Sequence, residues 1–182
     1  MKHYTAPRSR GDSTRWMLRE LDVPCEEILV DILGGEQNTD AYRAINPMGK
    51  VPALVDGDVV VTETAAICAY LADAFPEKGL APPVGTPERG RYYRYLFFPG
   101  VTLEPLLSVT SLGVKDVNAF SMGFGDMPRA LAAVESMTPE SGWALGDAFS
   151  AADVVFGGSL AFFTGFQMLE PSPRVAAYVE RI

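Results

Sequence analysis

The chain has 182 residues, 48% of them hydrophobic and 21% charged, with 15 basic against 23 acidic side chains and a net charge of −8. That length suffices for a sizeable core in one domain or two small ones, and the apolar share excludes a disordered chain. The acidic balance, with a pI near 4.6, excludes a general nucleic-acid or anionic-membrane binder, which needs a basic stripe.

Lys2 to Thr5 reads as a short first strand and Pro7 to Gly11 as a loop. Asp12 or Ser13 then caps a helix to about Leu21, in which Thr14, Met17, Leu18 and Leu21 recur at the spacing of one buried face. Pro24 closes it. Glu26 to Ile32 places Ile28, Val30 and Ile32 on one face of a strand, Gly34-Gly35 breaks that pattern, and Thr39 to Ile45 is a short helix. Ala53-Leu54-Val55 and Val59-Val60-Val61 flank Asp56-Gly57-Asp58, a hairpin signal because glycine tolerates positive φ. Glu63 to Phe75 follows as a helix with Ile67, Tyr70, Leu71 and Ala74 on one side, stopped by Pro76.

The chemistry then changes. Pro76 to Gly85, with Pro82, Pro83 and Gly79, has linker composition, and every periodic segment beyond it is helical. Thr86-Pro87 is an N-cap with proline at the first helical position, opening a helix that carries Tyr92, Tyr93, Tyr95, Phe97 and Phe98. A second helix is expected from Asp126 to Met137 and a last one from Pro173 to Arg181. Ser150-Ala-Ala-Asp153 has capping-box spacing, with Phe149 and Val154 at the staple positions. The longest uncharged run, Val154 to Leu169, contains Gly157, Gly158, Ser159 and Gln167 and falls short of the roughly 20 apolar residues of a membrane span. A buried core helix is expected there.

Cys25 and Cys68 are the only cysteines, too few for a disulfide framework, and they form no Cys-x-x-Cys pair. The polar, arginine-rich start, Met1 to Trp16, carries no apolar stretch and predicts no secretory signal. A reducing, cytoplasmic location is the expectation. His3 is the single histidine, so no metal site is expected from one imidazole and two distant thiols.

The run Asn46-Pro-Met-Gly-Lys-Val-Pro-Ala-Leu54, the hairpin after it and Thr62-Glu-Thr-Ala-Ala-Ile67 resemble the amino-terminal domain of the cytosolic glutathione S-transferases, bacterial members included. Phe149-Ser-Ala-Ala-Asp153 is similar to the motif that opens the central helix of that family's second domain. The resemblance implies an α/β thioredoxin-like domain (βαβαββα) over residues 1–76 and an all-helical domain over 86–182. It further implies glutathione as cosubstrate, no tightly bound cofactor, a small hydrophobic electrophile and a homodimer. Family members commonly continue past the last helix, where this chain ends at Ile182.

The resemblance also assigns roles to individual residues. Pro52 would be the cis proline that frees the Val51 backbone to pair with the cysteinyl part of glutathione. Glu63 and Thr64 would hold the ammonium and carboxylate of its γ-glutamyl end, which suits a helix start with its free amides and positive dipole. Lys50 would meet the glycine carboxylate, with Arg43 a second candidate. For thiol activation two patterns compete. Against tyrosine-type members, Tyr4 donates to the sulfur and Arg10 supplies positive charge; against serine-type members, Ser9 is the donor. A cysteine thiol titrates near 8.5, so each unit of lowering needs about 1.4 kcal/mol of preferential thiolate stabilisation. A second reading keeps the fold and the pocket as a binding or scaffold protein without turnover. A third, thiol–disulfide exchange by the chain's own cysteines, is disfavoured because the loop after the first strand has none. The aromatic row on the helix after Pro87 matches the helix that lines the family's electrophile site.

Overall fold

The computed structural model describes residues 1–114 and 118–182. They form two compact units, Met1–Lys78 and Gly79–Ile182. The first unit runs β1 (Lys2–Thr5), α1 (Gly11–Leu21), β2 (Glu26–Leu29), α2 (Asp40–Arg43), β3 (Ala53–Asp56), β4 (Val59–Thr62) and α3 (Thr64–Ala74). Its sheet has the order β2-β1-β3-β4, with β1 parallel to β2 and antiparallel to β3, and β3 antiparallel to β4. That is the thioredoxin-like order expected from the motifs.

The α1 stripe is buried as its spacing predicts: Thr14, Met17 and Leu21 are fully inaccessible and Leu18 nearly so. Its start differs from the expectation. Arg10, not Asp12 or Ser13, takes the N-cap position, with helical φ and ψ and no side-chain cap. Ser9 receives the orphan amides instead, through its hydroxyl from Gly11 and its carbonyl from Asp12. α1 ends at Asp22 in the left-handed region, before Pro24. β2 is shorter than its alternation implied and lies at the sheet edge, largely exposed. The buried face of α3 is Ile67, Cys68, Leu71 and Ala72; Tyr70 turns outward and donates to Asp56.

The second unit is helical: α4 (Pro87–Phe98), α5 (Glu104–Ser111), α6 (Met127–Met137), α7 (Gly158–Gly165) and α8 (Pro173–Arg181). Thr86, Asp126 and Ser172 cap α4, α6 and α8 through their side-chain oxygens, each with proline at an opening position. Two prolines hid α5 from the pattern reading. The chain passes Pro99 in one wide turn, Pro99–Leu103, with i→i+5 geometry, and Pro105 sits where α5 needs no amide donor. Leu80 is buried and its carbonyl accepts from the Ala151 N–H, which ties the proline-rich stretch to this unit. Leu103, Leu106, Val134, Phe156, Leu160, Phe163 and Tyr178 form the core. Of the uncharged run, Val154 to Phe163 are buried or half-buried whereas Gly165 to Met168 are exposed, so the expected core helix is interior only in its first part. Among the described residues no helix is long and apolar enough to cross a membrane.

The capping box is present. Asp153 accepts from the Ser150 N–H at 3.0 Å, and the Ser150 hydroxyl accepts from the Ala152 N–H at 3.2 Å. Asp153 also accepts from Ala144 N–H and from Tyr178 O–H, both at 2.7 Å. Phe149 packs edge-on against Trp143.

Candidate functional site

Strand register gathers the sequence motifs at one end of the sheet. Tyr4 on β1 pairs with Ala53 on β3, and Ala53 pairs with Thr62 on β4. The residues just beyond that row are therefore the loop after β1 with Ser9 and Arg10, the turn Lys50-Val51-Pro52 before β3, and Glu63-Thr64 after β4.

The turn before β3 is built around one carbonyl. Lys50 C=O accepts from the Tyr42 hydroxyl at 2.6 Å and from the Asn46 side-chain amide at 2.7 Å. Both of its lone pairs are thereby engaged. The Asn46 oxygen accepts in turn from the Met48 N–H, and its main-chain carbonyl from the Gly49 N–H. Gly49 has φ of 61°, and a Cβ there would lie 2.9 Å from the Gln37 carbonyl, so only glycine fits. The Val51-Pro52 peptide is cis, as the motif implied. Pro52 is buried, Val51 half-buried, and the Lys50 side chain exposed.

Tyr42 and Asn46 were not among the residues singled out from sequence. Asn46 precedes proline in the motif, which is the local signal for a turn; Tyr42 gave none. Tyr42 is buried, and burial, with Tyr4 adding to it, pushes its hydroxyl up to about 12. It remains a hydrogen-bond donor at any ordinary pH. Tyr4 packs edge-on against it, ring centroids 6.0 Å apart, on the sheet face opposite buried His3 and Thr5.

Glu63 is the N-cap of α3 and carries φ of 70° and ψ of 124°, a conformation side chains rarely adopt. Its side chain makes no capping bond, while its carbonyl accepts from the Ile67 N–H. An unfavourable backbone held by both flanking elements is the kind of strain that collects at ligand sites. Thr64, half-buried, opens the 11-residue α3. Cys68, one turn further on, is fully buried, and its thiol is pushed up to about 12 by burial while Arg10 pulls against that shift.

Ser9 and Tyr4 differ in what their hydroxyls do. Ser9 donates to Ala6 C=O at 2.6 Å and accepts from Gly11 N–H at 3.0 Å, so it braces the turn into α1. Arg8 beside it has φ of 57°. A Cβ on Gly11 would meet the Thr5 hydroxyl at 2.0 Å, so any larger residue at the start of α1 forces the buried Thr5 side chain to move. Arg43 reaches the Asn38 side chain at 3.4 Å on an exposed helix face, outside the gathered row. Cys25 lies at the entrance to β2, and burial with the nearby acids raises its thiol. Neither cysteine is in the loop after β1.

A sheet unit with strand order 2-1-3-4 and a cis-proline turn, followed by a helical unit that carries a capping box ahead of α7, defines a thioredoxin-like, two-unit architecture. Family models described as glutathione S-transferase, N-terminal domain, and glutathione S-transferase, C-terminal domain, match residues 4–79 and 118–181. Glutathione S-transferase Z2 of Arabidopsis thaliana is 31% identical over 176 residues, spanning 90% of this chain and 76% of the relative. The crystal structure of a glutathione transferase from Methylococcus capsulatus str. Bath is 32% identical with a TM-score of 0.79, covering 99% of this chain and 91% of that one. A sphingomonad glutathione S-transferase complexed with glutathione is 26% identical with a TM-score of 0.68, covering 100% and 98%. The chain belongs to the glutathione S-transferase family. Its relatives are named transferases, which favours an enzyme over a scaffold that only binds.

Proposed function

We propose that this glutathione transferase holds glutathione along the gathered end of its sheet and transfers the thiolate to a small hydrophobic electrophile, serving detoxification in the cytoplasm. The convergence of the Tyr4, Ala53 and Thr62 row carries the reading, because it sets three polar segments of different sequence origin side by side. Backbone N–H and C=O of Val51 are offered to the cysteinyl peptide like one more strand. Glu63 takes the γ-glutamyl ammonium. Thr64 and the free amides of α3 take the carboxylate, and Lys50 takes the glycine carboxylate.

For the thiol, the hydrogen bonding supports Tyr4 over Ser9. The Ser9 proton is committed to Ala6 C=O, whereas the Tyr4 hydroxyl makes no hydrogen bond among the described residues and can donate to sulfur. Arg10 adds positive charge, and together they lower the thiol pKa so that thiolate forms near neutral pH. The nucleophile attacks the electrophilic carbon, the carbon–sulfur bond forms, and the leaving group departs with its electron pair. Tyr93 and Phe97 on α4 and Val101 in the wide turn after it, all exposed, supply an apolar stripe for a second copy of the chain. Steady-state kinetics test the assignment. Tyr4→Phe lowers kcat about 10²-fold with little change in glutathione affinity, while Ser9→Ala mainly costs stability. A larger kcat loss in folded Ser9→Ala than in Tyr4→Phe reverses the roles.

A further inference from the structure

A cleft of about 360 Å³ in the helical unit is lined by Arg91, Arg94, Tyr95, Ala144, Leu145 and Gly146. Its lining shares no residue with the row that gathers the glutathione-binding residues. Arg91 and Arg94 stand three residues apart on α4, neighbouring positions on one helix flank. Both are exposed, and neither makes an ion pair or side-chain hydrogen bond among the described residues. In a chain with net charge −8, two arginines without a carboxylate partner among the described residues, on the wall of one cavity, form a local positive site. Each guanidinium presents a planar fork of donors that matches phosphate oxygens bidentately.

The opposite wall is fixed. Trp143 and Gly146 exchange backbone hydrogen bonds at 2.7 and 3.0 Å, and the Ala144 N–H is held by Asp153. Arg181 donates to the Gly142 carbonyl at 2.6 Å, and a Cβ on Gly142 would meet the Gly146 carbonyl at 2.7 Å. Tyr95 gives its hydroxyl to Met137 C=O at 2.8 Å, so the cleft receives its ring and not its polar end. Burial raises the Tyr95 hydroxyl, Arg94 and Arg91 pull against that shift, and the Asp153 carboxylate adds to it.

We propose that this cleft binds a small phosphomonoester, its phosphate held by Arg91 and Arg94 and its apolar body against Tyr95 and Leu145. A phosphomonoester is close to a dianion at neutral pH and balances both guanidinium charges, which a monocarboxylate does not. The volume is at the lower end of the range for small-molecule sites and fits one ring with its head group.

Titration calorimetry of the full chain with phenyl phosphate at low salt tests it, alone and with S-methylglutathione filling the glutathione site. One-site binding is expected, unaffected by S-methylglutathione and weakened at least about tenfold in Arg91→Ala/Arg94→Ala. Arg19→Ala/Arg129→Ala removes the same charge elsewhere and leaves the affinity unchanged. Absence of binding, equal affinity in the cleft variant, equal weakening in the control variant, or displacement by S-methylglutathione each overturns the proposal. Because the glutathione site is probed separately, its failure and this one are distinguishable.

Discussion

Replacing Asp153 by alanine removes the acceptor that joins three parts of the helical unit. The carboxylate is fully buried and accepts from Ser150 N–H, Ser150 O–H, Ala144 N–H and Tyr178 O–H at 2.7 to 3.1 Å. In Asp153→Ala the serine hydroxyl can turn to another acceptor, but the buried Ser150 amide, the half-buried Ala144 amide and a buried phenol lose theirs. Each orphaned donor costs about 1–3 kcal/mol, and partial relaxation brings the sum to the lower end, about 4 kcal/mol. That is a large share of the roughly 5–15 kcal/mol that holds a protein folded. Asp153→Asn keeps one acceptor oxygen and should cost about 2 kcal/mol, and Tyr178→Phe, which leaves no donor unpaired, about 1 kcal/mol. Equilibrium unfolding in urea reads all three. A loss below about 1 kcal/mol in Asp153→Ala, or a Tyr178→Phe loss as large as that of Asp153→Ala, refutes the account of the network.

Burial holds the His3 imidazole at about 4, well below its ordinary 6.5, with Glu27 raising it and Arg15 lowering it further. Because the folded state disfavours the charged ring, the stability His3 contributes is fully present above pH 6.5 and is lost as pH falls through the window down to about 4, about 3 kcal/mol in all. His3→Gln should flatten that slope in urea titrations at stepped pH, and an unchanged slope contradicts it. Cys68, at about 12 and fully buried, should resist disulfide reagents at pH 8 until the chain unfolds, and Cys25→Ser/Cys68→Ala should keep transferase activity. Fast native labelling of Cys68, or lost turnover in a folded double variant, would revive chemistry by the protein's own thiols. Phe97→Glu places a charge in the α4 stripe and should convert dimer to monomer in sedimentation velocity; an unaltered species puts the interface elsewhere.

Much of the fold was legible because local patterns and tertiary burial agree. The α1 stripe, the Asp56-Gly57-Asp58 hairpin and the side-chain caps at Thr86 and Ser150 each follow from short-range chemistry. The readings that failed depend on longer range. Pro99 and Pro105 carry the signature of a break, yet a wide turn lets the backbone continue into α5 without the missing amides. The buried face of α3 is rotated from the one drawn through Tyr70 and Ala74, because Tyr70 finds Asp56 across the hairpin. At the site, spacing marked Lys50 to Pro52, Glu63 and Thr64, but not the strained Glu63 backbone or the two donors on Lys50 C=O. Nor could spacing separate Tyr4 from Ser9, since the difference lies in a bond from Ser9 to Ala6 C=O that only the folded loop makes.

The central claim is that the gathered end of the sheet binds glutathione as thiolate. Calorimetric titration of glutathione near pH 7 in two buffers of different ionisation enthalpy measures this directly, because the difference in apparent heat counts the protons released on binding. Release of close to one proton per site, abolished in Tyr4→Phe, is the expected result. Binding without proton release, or no binding at millimolar glutathione, contradicts it.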